Sequence, residues 1–208
     1  KKLVEHGETI ALPAVLGDED PGAFADIRRQ VGSPLFEIPV PPPSVPGMRL
    51  NDELIRHAKR ERVEIILGSK VTGADATDVG TSGHDTHLKA RTFLLAAGGF
   101  ESGTLELDSY QKLSETILGL PLAVPAGELI NDTWAGQQPL FRAGVATNDD
   151  MVVVDPATGQ PVHDNLWAAG GVLAGAQRWD EKTGDGIAVA SAVRAADAII
   201  SNLAGGQR

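Results

Sequence analysis

Cysteine is absent from the 208 residues, and histidine is scarce, with five in the chain. A chain without cysteine forms no disulfide, has no thiolate nucleophile and cannot ligate zinc or an iron–sulfur cluster through sulfur. His84 and His87 stand three residues apart in a polar turn, where an extended chain points the two side chains to opposite faces. The sequence therefore predicts no metal site.

Basic residues are outnumbered, with 18 Lys and Arg against 28 Asp and Glu and a formal net charge of −10. The averaged field of such a chain repels phosphate backbones and anionic lipid surfaces. We therefore expect no nucleic-acid partner. An anionic small substrate remains compatible, because a local arginine or a helix N-terminus can outweigh distant charge inside a cleft.

A long uninterrupted apolar run is also missing. The most apolar stretch, 187–203, is interrupted by polar side chains and predicts no direct membrane span. The opening KKLVEHGETIALPAV lacks the apolar run of an export signal, so the expected location is the cytoplasm. Because the chain starts at Lys1, we expect it to belong to a longer protein. The polar residues that interrupt the apolar stretch 187–203 are Ser191, Arg194, Asp197 and Ser201.

The N-terminal part has the pattern of a parallel βαβ unit. A strand is predicted over 8–16, a short helix through Phe24, Ile27 and Val31, and a second strand over 35–40. Five prolines between Pro39 and Pro46 then predict a stiff extended crossing. This crossing is either a domain boundary near residue 46 or a rigid loop within one domain.

Beyond the prolines, the sequence predicts a helix over 51–63, a strand over 64–67, a hairpin and a buried strand that ends near residue 97. The middle, 101–139, has weak periodicity and is expected to be irregular. The last helix, 186–203, is rich in Ala, Val and Ile, with one thin polar edge. We predict an α/β fold in which this is a core helix.

Glycines mark three places where such a fold could bind a ligand. Two predicted strands end in glycine, FLLAAGGF at 93–100 and LWAAGGV at 166–172, and TGDG at 183–186 precedes the last helix. Glycine after a buried strand admits a bound group close to the backbone, and a helix start stabilises negative charge. Each could also be only a tight turn. The candidate cofactor-binding residues are Ala97, Gly98, Gly99, Gly170, Gly171, Val172, Gly184, Asp185, Gly186, Ile187 and Ala188.

Several motifs carry a family resemblance. LPAVLG, PVPPPSVPGMRLNDEL, LLAAGGFESG, ETILGLPL, FRAGVATND and NLWAAGGVLAG, in this order, resemble the flavoprotein component of anaerobic glycerol-3-phosphate dehydrogenases. The wider group is the flavin dehydrogenases related to fumarate reductase. Departures from the family pattern occur at AQRWDEKTGDG and TLELDSYQ. The resemblance covers about 8–203 and corresponds to the C-terminal half of such proteins.

The resemblance implies a fold and a division of the chain. It implies the C-terminal part of a Rossmann-like FAD/NAD(P)-binding domain plus part of a second α/β domain, the cap or substrate domain. Residues 1–46 would belong to the cap, 47–100 and 140–208 to the flavin-binding domain, and 101–139 to an irregular connection or a return to the cap. The glycine loop that holds the flavin phosphates would precede this chain.

The resemblance also implies an activity. Glycerol 3-phosphate would be oxidised to dihydroxyacetone phosphate through a flavin, FAD or FMN. Electrons would pass through an iron–sulfur membrane subunit to quinone, and the protein would be held at the inner face of the cell membrane by a partner. The alternatives are a non-catalytic electron-transfer or scaffolding subunit, or a dehydrogenase for another substrate such as a dicarboxylate.

No residue stands out in the sequence as the catalytic base. His163, before NLWAAGG, is the candidate, with a surface-turn histidine as the alternative. Arg49 could meet a substrate phosphate or simply pair with an acid. Trp134, Trp167 and Trp179 could wall a flavin ring, although such sparse tryptophans are more often core or interface anchors.

Overall fold

The computed structural model describes residues 7–20, 22–41, 44–68, 71–75, 78–81, 88–133 and 135–205. The chain forms two compact units, Lys1–Leu67 and Gly68–Arg208. Both contain helices and strands, so the predicted α/β class is confirmed. His84, His87 and Trp134 lie outside the described residues.

The first unit contains the predicted βαβ arrangement. Strand β1 (Ile10–Pro13) pairs in parallel with β2 (Leu35–Ile38), and helix α1 (Ala23–Val31) connects them. Helix α1 ends at Gly32, whose φ of 66° is the left-handed conformation that glycine adopts without a steric penalty. The parallel βαβ prediction is confirmed.

Helix α2 (Val45–Arg60) begins six residues earlier than predicted from the sequence. Ser44 precedes it in an extended conformation, and its side chain accepts a hydrogen bond from Gly47 N at 3.2 Å. Pro46 lies in the first turn, where a missing N–H leaves no helical bond unmade. The prolines therefore lead directly into a helix, and the predicted start at residue 51 is wrong.

The two units divide after Leu67, whereas residue 46 lies in the first turn of α2. The predicted strand over 64–67 is wrong, because these described residues have no strand structure. Leu67 is 76% exposed and Ile66 47% exposed. The assignment of segments to cap and flavin-binding domains stays a prediction.

The second unit contains several small sheets. Strands β3 (Val71–Asp75), β4 (Asp78–Thr81) and β5 (Leu88–Lys89) form an antiparallel sheet. Strands β6 (Phe93–Leu95) and β11 (Leu166–Ala168) form a parallel pair. These two strands run through the main core. Its buried members are Leu95, Leu105, Leu120, Val145, Val153, Leu166, Ala168 and Val172.

The segment expected to be irregular, 101–139, contains a hairpin. Strands β7 (Leu105–Leu107) and β8 (Leu113–Glu115) pair antiparallel, and the Asp108 side chain accepts hydrogen bonds from Tyr110 N and Lys112 N in the turn. Strand β9 (Leu122–Ala123) pairs with β10 (Gly144–Val145). Strands of two or three residues are too short to show periodicity, so the expectation is wrong at these places.

The end of β8 carries a buried carboxylate. Glu115 is 3% exposed and accepts hydrogen bonds from the backbone N–H groups of Ile117, Leu118 and Leu120 at 2.8, 2.8 and 3.2 Å. A buried carboxylate is stable in a fold when such donors replace its hydration. Glu115 thereby fixes the loop that leads to Leu120 in the core.

The chain then forms a short helix, α3 (Arg178–Glu181), and a long one, α4 (Gly184–Gly205). Ser191 and Ala195 are the buried residues of α4, whereas Val189, Val193 and Ile200 are 66%, 57% and 63% exposed. The prediction of a core helix with one thin exposed edge is therefore wrong, because most of α4 is exposed and Ser191 belongs to its packed side. Sequence periodicity predicts a polar edge that includes Ser191, and the structure buries that residue.

Helix α4 is also long and apolar enough to cross a membrane by length and composition, with 22 residues and a mean hydropathy of 1.4. By length and mean hydropathy, α4 is thus more apolar than the prediction of no membrane span in 187–203 implies. Core helices of globular proteins share both properties. Arg194 of α4 donates a hydrogen bond from Nε to Asp149 O at 2.9 Å and forms an ion pair with Asp150.

Candidate functional site

The two glycine-ended strands lie side by side and end at the same edge. The parallel register places Leu95 of β6 beside Ala168 of β11, and Ala169 N donates to Leu95 O at 3.0 Å. Because parallel strands point their carboxyl ends the same way, both glycine turns emerge together. We name these turns A (Ala97–Gly99) and B (Gly170–Val172).

Turns A and B contact each other through their backbones. A Cβ built on Gly99 would lie 2.5 Å from Gly171 O, and one built on Gly171 would lie 3.1 Å from Gly99 N. Such separations leave no room for a side chain. The glycines at these two positions are thus required by contact within the protein, whatever ligand lies outside.

Hydroxyl groups hold turn A in place. Thr104, which is 3% exposed, donates from Oγ1 to Ala97 O at 2.8 Å, and Ser102 donates from Oγ to Gly99 O at 3.1 Å. Gly98 has a φ of 85°, and a Cβ there would lie 2.5 Å from Ser102 Oγ. Both observations explain why this position requires glycine.

Turn B is held by α4. Ser191 Oγ accepts a hydrogen bond from Gly170 N at 2.9 Å and donates to Ile187 O at 2.6 Å. Gly170 has a left-handed φ of 76°. Val172 is fully buried in the core, so only its backbone could face a ligand. Turn B thus contacts turn A on one side and α4 on the other.

The third predicted segment is the start of α4. A Cβ built on Gly184 or on Gly186 would meet nothing within 4 Å, and the same is true of Gly170. Asp185 and Ala188 are exposed and Ile187 is half-buried. The positive end of a 22-residue helix therefore begins beside open space. The structure brings the three glycine segments of the sequence together through Gly171 and Ser191.

Arg178 is a residue of this site that sequence reasoning missed. Its side chain is 18% exposed, and its Nη1 and Nη2 lie 2.7 and 2.8 Å from the Cβ positions of Gly171 and Gly99. Within the described residues it forms one ion pair, to Glu101 Oε2 at 3.8 Å. A planar guanidinium with several donors suits a phosphate or a carboxylate. A signal is present in the sequence, since Arg178 is one of two cations, with Lys182, between the second and third glycine segments.

Aromatic side chains border the same region. The rings of Phe100 and Phe141 lie 5.9 Å apart, edge to face, and those of Phe141 and Trp179 lie 5.8 Å apart. Trp179 is 49% exposed, beside a cleft of about 560 Å³. Trp167, by contrast, is 2% exposed, which confirms the alternative of a core anchor for that residue. The cleft is lined by Ala135, Gly136, Gln138, Phe141, Gln177, Trp179, Asp180 and Lys182.

Two further residues, His163 and Arg49, were predicted for the site. His163 is exposed and precedes β11, so it lies at the amino end of the strand whose carboxyl end leads to turn B. The structure does not bring it to the glycine turns. Arg49 lies in α2 and forms an ion pair with Glu37 at 3.9 Å, which is the acid pairing that the sequence left as an alternative.

No metal centre is indicated in the described part of the chain, where no group of three or more metal-ligating side chains comes together. Parallel strands that end in glycine turns beside a long helix are found in α/β proteins that bind nucleotide cofactors. The sequence model of the FAD binding domain family matches residues 1–187. The chain belongs to this family, and its cofactor is a flavin.

Curated relatives of the chain are components of one dehydrogenase. A protein of Halobacterium salinarum, named as a probable component of anaerobic glycerol-3-phosphate dehydrogenase, is 31% identical over 92% of this chain and 47% of the relative. Components of the same dehydrogenase from Yersinia pestis and Histophilus somni are each 32% identical, over 98% and 96% of this chain and 49% and 48% of their own lengths. The chain therefore spans about half the length of these relatives. No solved structure matches it.

Proposed function

We propose that the complete flavoprotein containing this chain oxidises glycerol 3-phosphate to dihydroxyacetone phosphate. Within it, the chain would supply the carboxyl-edge half of a Rossmann-like flavin site. The names of the relatives support the substrate. The observation that carries the site is the convergence of turn A, turn B and the start of α4 on one edge.

The residues present fit a flavin at this edge. Gly170, Gly184 and Gly186 each leave open the space that a Cβ would occupy, whereas Gly99 and Gly171 are filled by their protein neighbours. Gly170, Gly184 and Gly186 would leave room for the cofactor, whereas Gly99 and Gly171 let turns A and B pack against each other. The first N–H groups of α4 would face the electron-rich edge of the ring, where a helix N-terminus favours negative charge.

The reaction needs a hydride acceptor, a site for the phosphate and a base for the hydroxyl proton. A flavin, when bound, supplies the acceptor. Arg178 supplies a largely buried cation between turns A and B, and we assign it to the substrate phosphate. The proton acceptor is expected outside this chain, because His163 lies at the other end of β11.

Electron transfer to quinone requires further groups. The chain has no cysteine, so no residue of it ligates an iron–sulfur cluster through sulfur, and we assign any cluster in the route to a partner subunit. We propose a cytoplasmic flavoprotein that is held at the inner membrane face by that partner, without a span of its own. Hydrogen bonds between Ser191 and Gly170 and between Arg194 and Asp149 attach α4 to the rest of its unit.

Replacement of Gly186 in the complete flavoprotein tests the site. The leucine of Gly186→Leu enters space that no protein atom occupies, so the fold is expected to survive and the flavin to be lost. Gly205→Leu is the matched control, since Gly205 is also helical and open. Flavin content after purification is measured by absorbance. Equal flavin content in both variants would remove the start of α4 from the site.

A second function is favoured by the position of His163 away from the glycine turns. A flavoprotein without a base would bind flavin and pass electrons, or support a catalytic partner, without oxidising the substrate itself. Both functions predict flavin loss in Gly186→Leu. They differ in whether glycerol 3-phosphate reduces the flavin of the isolated complete flavoprotein.

A further inference from the structure

We propose that Ser191 is a positioning residue for the flavin, which sets turn B against the first turns of α4. The inference rests on the proposed flavin site at these segments. From the sequence pattern, Ser191 is expected on the polar edge of the helix. In the structure it is 8% exposed and lies on the packed side of α4.

The hydroxyl of Ser191 makes two short contacts of different kinds, besides a longer one to Ala188 O at 3.4 Å. As an acceptor it receives the Gly170 N–H at 2.9 Å, across 21 residues of sequence. As a donor it contacts Ile187 O at 2.6 Å, one helical turn earlier. One oxygen atom therefore connects turn B to the part of α4 that begins at Gly184.

The first contact has a specific structural consequence. Gly170 is in the left-handed region, with a φ of 76°, and its N–H would otherwise have no partner among the described residues. Alanine is the better helix former and is the commonest neighbour of Ser191 in this helix. A hydroxyl at this buried position is therefore explained by the N–H that it receives.

The second contact acts on the helix itself. A serine that donates to the carbonyl one turn earlier bends a helix slightly at that carbonyl. Here the carbonyl that Ser191 contacts belongs to Ile187, immediately after Gly186. Ser191 thus fixes the distance between the Gly170 backbone and the free N–H groups at the helix start, which are the two groups that would contact the flavin ring.

The experiment uses the complete flavoprotein with Ser191→Ala and the matched control Ser201→Ala. Ser201 lies on the same helix and makes the same one-turn contact, to Asp197 O at 2.9 Å, but reaches no glycine turn. The control therefore removes the helical contact alone. Three quantities are measured: the flavin dissociation constant, the midpoint potential of the bound flavin, and amide hydrogen exchange at Gly170 without flavin.

We expect Ser191→Ala to bind flavin about fivefold more weakly, as for the loss of one neutral hydrogen bond. Its flavin potential should shift and its Gly170 amide should exchange faster, while Ser201→Ala matches the parent in all three. A parent-like dissociation constant and potential in Ser191→Ala would overturn the inference. A purely structural role would lower thermal stability and leave the potential of bound flavin unchanged.

A second pair keeps the test decisive if Ser191→Ala does not fold. Ser191→Thr retains the hydroxyl and Ser191→Val has nearly the same shape without it. Tighter flavin binding by Ser191→Thr than by Ser191→Val supports the inference, and equal binding by the two variants contradicts it. Failure of glycerol 3-phosphate to reduce the parent protein would reject the proposed substrate instead, since none of these readouts uses the substrate.

Discussion

At Gly99 and Gly171 the missing side chain makes room for backbone and for Arg178. A Cβ on Gly99 of turn A would lie 2.5 Å from Gly171 O. A Cβ on Gly171 of turn B would lie 2.7 Å from Arg178 Nη1. From the sequence, all these glycines are expected to face the ligand. Their spacing could not distinguish glycines that face a cofactor from glycines that face each other, because that depends on which strands become neighbours.

Gly99→Ala tests the contact between the turns. The added methyl would meet a backbone carbonyl that no side-chain rotation can move, so the free energy of unfolding should fall by roughly 2 kcal/mol or more. Gly205→Ala places the same methyl in open space and should change stability by less than about 0.5 kcal/mol. Urea unfolding followed by circular dichroism gives both values. Equal stabilities would show that turns A and B are not in contact.

The other residues of the site differ in how visible they are in the sequence. Arg178 could have been selected, because it is a cation between two glycine segments. Ser191 could not, because a serine in an alanine-rich helix looks like a surface position until the Gly170 N–H is found beside it. The sequence predicts His163 as a candidate base because it is close to a glycine-ended strand. It precedes that strand, however, and so lies at the strand's amino end.

At the level of elements, the order of strands and helices in the first unit could be predicted and their ends could not. The start of α2 was missed because five prolines suggested an extended segment. A proline is tolerated in the first turn of a helix, and Ser44 supplies the cap that starts it. In α4 the helix itself was evident, but its packed side was not, since Val189 and Val193 face outward and Ser191 inward.

The cap of α2 gives a prediction at this scale. Ser44→Ala removes the acceptor of the Gly47 N–H and should reduce stability by about 1 kcal/mol, whereas Ser44→Asp should retain most of it because aspartate also caps helix N-termini. The free energy of unfolding of the three proteins is compared by chemical denaturation. If the alanine and aspartate variants are equally stable, the helix does not depend on this cap.

On the scale of the whole molecule, the chain matches about half the length of its relatives, and we propose that it forms one edge of a cofactor site. The family and the flavin could be predicted from ordered sequence motifs. The α/β class followed from alternating patterns, and the parallel pairing of β6 and β11 gives the physical reason for two glycine turns in one chain.

Oxidation by the complete flavoprotein is the central claim, and anaerobic titration with glycerol 3-phosphate tests it most directly. Loss of the oxidised flavin absorbance is measured in the parent, in Arg178→Gln and in the control Arg194→Gln. We predict full reduction of the parent and of the control. Arg178→Gln should retain flavin but need at least about tenfold more substrate, since a hydrogen-bonded charge on the phosphate is lost. Flavin that stays oxidised in the parent at saturating glycerol 3-phosphate would contradict the proposed function.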